Sequence, residues 1–87
     1  MYYVYVIVEE KTGKKYIGFS SDLRKRIAEH NNRRGAKYTE GGKWNLVYYE
    51  AFTSKKDAIM RERRLKHDGR AKYHLFQRIG DSLAGQK

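Results

Sequence analysis

The chain opens on YYVYVIV, Tyr2–Val8, where apolar and aromatic residues occupy both alternating faces. Such a run predicts a central strand covered on two sides. KTGK follows at residues 11–14, a tight turn whose glycine can take a positive φ, so Lys15–Phe19 is expected to return as an antiparallel second strand. The apolar spacing then changes to a helical one that runs to about Asn31. Ser20 or Ser21 is available as its N-cap and Asp22 suits its first turn. Residues 32–43, NRRGAKYTEGGK, read as a glycine-punctuated basic loop, and Leu46–Phe52 as a third strand. Ser54 and Asp57 resemble a capping box opening a helix from about Lys55 to Lys66. Gly69 breaks the chain, and Ala71–Ile79 carries Leu75, Phe76 and Ile79 at the spacing of a last short helix. The reading is an α+β fold of order ββαβαα: a small three-stranded antiparallel sheet flanked by helices. Residues 1–80 form one domain and 81–87 a frayed tail, with Leu83 as a late contact.

Two helical faces break this pattern. In the first helix Leu23 and Ile27 make one apolar stripe, yet Arg26 lies roughly 60° and His30 roughly 20° from Leu23 on a wheel of about 100° per residue. An arginine that snorkels and a histidine packed as a half-apolar ring would explain both; so would an anion site. In the second long helix Glu62 falls in the middle of the face defined by Ala58, Ile59 and Leu65. A carboxylate there is expensive unless it is paired or coordinates a cation. A salt bridge to Arg26 or Lys66 is the structural alternative to a metal.

Composition narrows the partner. Among 87 residues, 20 Lys and Arg against 10 Asp and Glu leave a formal charge of +10, which points to a polyanion: nucleic acid first, an acidic membrane surface second. Eight tyrosines suit bases and sugars as well as small sheets. The absence of cysteine removes disulfides, thiolate metal sites and cysteine nucleophiles. Tyr2–Val8 is too short to span a bilayer and lacks the basic start of a signal peptide, so a cytoplasmic location without a membrane partner is expected.

The segments YVYVI (Tyr3–Ile7), YIG (Tyr16–Gly18), DLRKRIAEH (Asp22–His30) and DAIMRERRLK (Asp57–Lys66) together resemble the GIY-YIG nuclease domain over nearly the whole chain. They are most similar to small single-domain bacterial members akin to the amino-terminal nuclease domain of the excision-repair endonuclease. RGAKYT (Arg34–Thr39) and GRAK (Gly69–Lys72) add to the likeness. The resemblance implies that Tyr5 and Tyr16 are the tyrosines of the two name motifs and Arg26 the catalytic arginine. It likewise makes His30 a site histidine and Glu62 the metal-binding glutamate. Tyr3 and Val4 replace the glycine and isoleucine of the first motif, and Phe19 stands where the repair nucleases carry a lysine.

These residues suit phosphodiester hydrolysis. Mg²⁺ or Mn²⁺ keeps most of its waters and needs only one or two carboxylates, so Glu62 suffices as protein anchor. Arg26 would bind the scissile phosphate through its planar fork. Tyr5 is the first choice of general base, acidified by nearby cations, with Tyr16 sharing that role or holding the water and His30 orienting it. Arg33, Arg34, Lys37 and Lys43 would hold flanking phosphates without reading bases. Lys55, Lys56, Arg61, Arg63 and Arg64 decorate the exposed side of their helix. Gly18 marks a turn or a close approach. The expected activity is a metal-dependent endonuclease with weak sequence specificity, DNA ahead of RNA, with DNA repair among its settings. Targeting would fall to a homodimer or a partner protein. The rival readings are a non-catalytic module keeping the phosphate pocket and an RNA-recognition sheet, whose strand order and motif are missing.

Overall fold

The computed structural model describes residues 1–32, 39 and 41–85. The run of apolar and aromatic residues at the amino terminus forms β1 (Tyr2–Glu9), buried from Val4 to Glu9. The chain reverses at Gly13, whose φ of 74° is accessible to glycine without cost, and β2 (Lys15–Ser20) pairs antiparallel with β1. Then come α1 (Leu23–Asn31), β3 (Trp44–Phe52), α2 (Lys55–His67), α3 (Gly69–Arg78) and α4 (Gly80–Ala84). β3 pairs antiparallel on the other side of β1, giving a sheet of order β2-β1-β3. The expected α+β architecture is the observed one.

Helix boundaries follow side-chain caps. Asp22, not Ser20 or Ser21, caps α1 by accepting from the Lys25 N–H at 3.1 Å, while Ser20 Oγ accepts from the Asp22 N–H at 2.9 Å. A carboxylate that accepts from the N3 amide satisfies an orphan donor and also meets the positive end of the helix dipole. Ser54 caps α2 through the Asp57 N–H. Gly69 does not break the chain: Asp68 closes α2 with its backbone and caps α3 with its side chain, so Gly69 begins the next helix. The stretch expected to fray includes the short α4, whose Leu83 does reach the core.

The sheet has two different faces. Tyr2, Val4, Val6, Ile17 and Phe19 pack against Ala58, Leu65, Leu75 and Ile79 from the carboxy-terminal helices, forming the larger core. Tyr5, Ile7 and Trp44 face the other way and are covered by Leu23 and Ile27 of α1, with Tyr16 beside them. A bulge in β3 sorts its side chains between the two: Val6 pairs with Tyr48 and Ile7 with Leu46, so Val47 is the extra residue. Trp44 therefore lies on the α1 face, whereas Tyr48 and Phe52 join the larger core although all three have even numbers.

Polar side chains secure these layers. Glu50 is held by Arg61 through Nε at 3.0 Å and Nη2 at 2.9 Å, and the Tyr48 hydroxyl donates to it at 2.7 Å. Arg61 is thus not surface decoration but ties α2 to β3. Burial alone would raise the Glu50 carboxyl; Arg61 and Tyr48 hold it below the usual range instead. The Glu9 carboxylate accepts from the N–H groups of Thr12 at 2.9 Å, Lys11 at 3.1 Å and Lys43 at 3.3 Å, joining the hairpin to the start of β3. Asn31 clips the end of α1 to β3: its Oδ1 accepts from the Trp44 N–H at 2.7 Å and its Nδ2 donates to the Trp44 carbonyl at 3.0 Å.

Asn31→Ala removes both halves of that clip between α1 and β3. The expected loss is about 1–2 kcal/mol of unfolding free energy in urea. An unchanged midpoint would show that water replaces the clip at no cost.

Candidate active site

β1 sends Tyr5 onto the α1 face, and the opposing residue in β2 is Gly18. The Tyr5 ring lies directly over Gly18, where a Cβ would overlap its hydroxyl and Cζ. The expected close approach at this glycine is therefore made by a site side chain: the missing Cβ is the slot that holds Tyr5. From α1, His30 meets the ring, and its Nε2 lies 2.6 Å from the Tyr5 hydroxyl. His30 Nδ1 is 2.8 Å from Thr39 Oγ1, and the Thr39 carbonyl accepts from the Trp44 indole N–H at 3.0 Å. Tyr5 and His30 are 0% exposed and Thr39 is 1% exposed, so this chain of hydrogen bonds is sealed from water.

The protonation states follow from that burial. Desolvation pushes the Tyr5 phenol up to about 12, against the nearby Arg26 guanidinium, which favours its ionised form. Desolvation and the Arg26 charge push His30 down to about 4, with Glu29 opposing them. At neutral pH the phenol keeps its proton and the imidazole is uncharged. With the phenol protonated and the imidazole neutral, the arrangement that satisfies both groups has Tyr5 O–H donating to Nε2. Nδ1–H then donates to Thr39. Burial works against Tyr5 as a base, and the Arg26 charge works for it.

Arg26 is half-buried and its Nη1 donates to Glu29 Oε1 at 3.0 Å. Tyr16 lies beside His30, with ring centroids 5.1 Å apart, and 6.4 Å from the Tyr5 ring. It is not the direct cross-strand partner of Tyr5, since it pairs with Ile7. Glu62 is close enough for its charge to oppose ionisation of Tyr5. Its ion pair is with Lys66, one turn along α2 at 3.1 Å, and not with Arg26. The Lys66 ammonium also sits 5.2 Å from the centroid of the Tyr16 ring. The structure thus brings together Tyr5, Tyr16, Arg26, His30 and Glu62. It does not bring Lys43 to them: this side chain is 81% exposed, 4.0 Å from Glu10 near the hairpin. Arg33, Arg34 and Lys37 lie outside the described residues.

Among the described residues no three His, Cys, Asp or Glu side chains converge into a metal cage. Glu62, with 23% of its side chain exposed and a single lysine as its partner, suits a hard cation held through one carboxylate and water. The sequence reading missed Thr39 and Glu50 as partners, whereas Lys66 was one of the two partners it offered Glu62. Only Lys66 had a local signal, its i,i+4 spacing from Glu62.

The GIY-YIG catalytic domain profile matches residues 1–74. A UPF0213 protein of Staphylococcus saprophyticus is 44% identical over 72 residues, covering 82% of this chain and 87% of that protein. A UPF0213 protein of Halobacterium salinarum is 46% identical over 72 residues, covering 82% and 92%. The solution NMR structure of a UPF0213 protein from Bacillus halodurans matches with a TM-score of 0.54 at 41% identity, covering 88% of this chain and 84% of that one.

Because folded His30 refuses a proton until about pH 4 while the unfolded chain takes one near its ordinary 6.5, stability should fall as pH drops through that window. Thermal unfolding followed from pH 7 to pH 4 should show this fall in the wild type and a shallower one in His30→Gln. Glu9 and Glu50, both held below 4.5, lose their contribution only at lower pH. Identical profiles for the two proteins would place the acid sensitivity elsewhere.

Proposed function

Since the chain belongs to the GIY-YIG family, whose domain defines an endonuclease superfamily that uses divalent metals, we propose that it is a divalent-metal-dependent endonuclease. It hydrolyses phosphodiester bonds in nucleic acid, DNA ahead of RNA, with weak sequence specificity. The observation that carries this reading is the sealed Tyr5–His30 hydrogen bond with the Arg26 guanidinium acting on the same phenol oxygen. A core tyrosine needs one hydrogen-bond partner; this one has an acceptor for its proton and a cation for its charge.

Arg26 exchanges its contact with Glu29 for the scissile phosphate and stays beside the oxygen of Tyr5. Its fork stabilises charge that grows on the phosphate in the transition state. Tyr5 is the candidate general base, and loss of its phenolic proton becomes less costly as cationic charge accumulates around the hydroxyl. His30 fixes the phenol by accepting its hydrogen bond at Nε2, and Thr39 pairs with Nδ1 and so holds the imidazole in that tautomer. Tyr16 lines the approach and limits the water that reaches the pair. Glu62 is the residue that would hold Mg²⁺ or Mn²⁺, which when bound supplies Lewis-acid stabilisation of the phosphate. Backbone contacts dominate binding in this reading, and targeting belongs to a second copy or a partner protein.

Incubating the purified protein with labelled single-stranded, duplex and branched DNA and with RNA, with and without Mg²⁺ or Mn²⁺, tests the proposal directly. Cleavage that requires the ion is expected; binding without cleavage under every ion would leave only a phosphate-binding module. Arg26→Ala should slow cleavage by on the order of 10²–10³-fold, as loss of one transition-state donor does, while most nucleic-acid binding persists. Turnover at the wild-type rate would remove Arg26 from the reaction.

Glu62→Gln separates the metal reading from the structural one. The Glu62–Lys66 pair is partly exposed, with 37% of the Lys66 side chain open to solvent, so losing it should cost less than about 1 kcal/mol. Mg²⁺ or Mn²⁺ should raise the Tm of the wild type through linkage and leave the variant unmoved. An equal response of both proteins to the ion would place the cation elsewhere.

A further inference from the structure

At the edge of the sheet, a cleft of about 350 Å3 is lined by Lys15, Tyr16, Ile17, Lys66, Lys72 and Phe76. Its three lysines come from three elements, β2, α2 and α3, and none belongs to the sites anticipated from sequence. Aromatic rings hold two of the ammonium groups in place: Lys15 Nζ is 5.7 Å from the Phe76 centroid and Lys66 Nζ 5.2 Å from that of Tyr16. Lys66 is balanced by Glu62. Among the described residues Lys15 and Lys72 meet no carboxylate. Lysines that only solvate a surface spread apart, because like charges repel; these converge in a concave place where their fields add.

We propose that this cleft is a second phosphate subsite, which holds the nucleic-acid backbone next to the scissile phosphate. The inference rests on the nucleic-acid reading above and adds where the strand runs. Tyr16 belongs to both places, so a strand whose phosphate is bound by Arg26 passes the Tyr16 ring and enters the cleft. Lys15 and Lys72 contribute point charges to the backbone there and touch no base edge, so the subsite adds affinity without sequence preference. Lys66 bridges the two regions: its ammonium can stay on Glu62 or turn to the phosphate once a cation takes its place at that carboxylate.

Binding of a labelled duplex oligonucleotide, read by fluorescence anisotropy in the presence of EDTA at salt from about 50 to 200 mM, tests the subsite without cleavage. Lys15→Gln with Lys72→Gln should flatten the log–log salt dependence by roughly 1–2, since each phosphate contact contributes about 0.9 on duplex DNA. Lys55→Gln with Lys56→Gln, at the exposed start of α2, removes the same charge and should flatten it by less than half as much. Lys15→Arg with Lys72→Arg should keep the wild-type slope, which distinguishes lost charge from lost fold. Equal slopes for the two glutamine pairs, or a wild-type slope in the first, would overturn the subsite alone. A wild type that binds no oligonucleotide overturns the nucleic-acid reading and the subsite with it.

Discussion

The hydrogen bond between Tyr5 and His30 joins the middle strand to the helix that covers it, and both partners are wholly buried. A polar pair in that position is stable only while each lone pair and each proton has a place to go. That requirement shapes the surroundings: Gly18 leaves room for the ring, Thr39 takes the far nitrogen of the imidazole, and Trp44 anchors Thr39 in turn. No buried side-chain polar atom among the described residues is left without a partner. The same burial keeps both groups neutral, and the Arg26 charge is what opposes it at the phenol.

The two sheet faces divide the work of the molecule. On the face toward α2 and α3, apolar packing and the Glu50–Arg61 pair hold the layers together. On the face toward α1, a smaller apolar cluster supports titratable groups that have nothing apolar to replace them. The bulge at Val47 makes the division sharp in β3, since it lets one strand serve both faces with large side chains. A domain of this size has little apolar area to spare, and placing the polar chain of Tyr5, His30 and Thr39 inside it offsets part of what the larger core contributes.

Charge is distributed to match. The excess of cations is not uniform: Arg26 stands at the phenol, Lys66 at Glu62, and Lys15 and Lys72 in the cleft beyond Tyr16. Glu29 and Glu62 each neutralise one of these cations, Arg26 and Lys66. Such partly exposed pairs are weak, so a phosphate or a divalent ion can exchange with them at small cost.

Periodicity alone determined the element order, the hairpin at Gly13 and the helical faces on which Arg26, His30 and Glu62 stood out, because these depend on residues close in the chain. It also left each of those anomalies with two explanations. The contacts themselves came from the tertiary structure: Tyr5 meets His30 and Gly18 lies beneath a ring from another strand, residues far apart in the chain, while Glu62 pairs with Lys66 one turn away and not with Arg26. Local reading placed the cap of α1 one or two residues early and took Gly69 for a break, since serine, aspartate and glycine all favour helix ends and only backbone geometry selects among them. Arg61 looked like one more surface cation because its partner Glu50 lies on a strand whose facing is reversed by the bulge at Val47. A single unpaired residue changes the parity of everything after it, and only the pairing with β1 reveals where that happens.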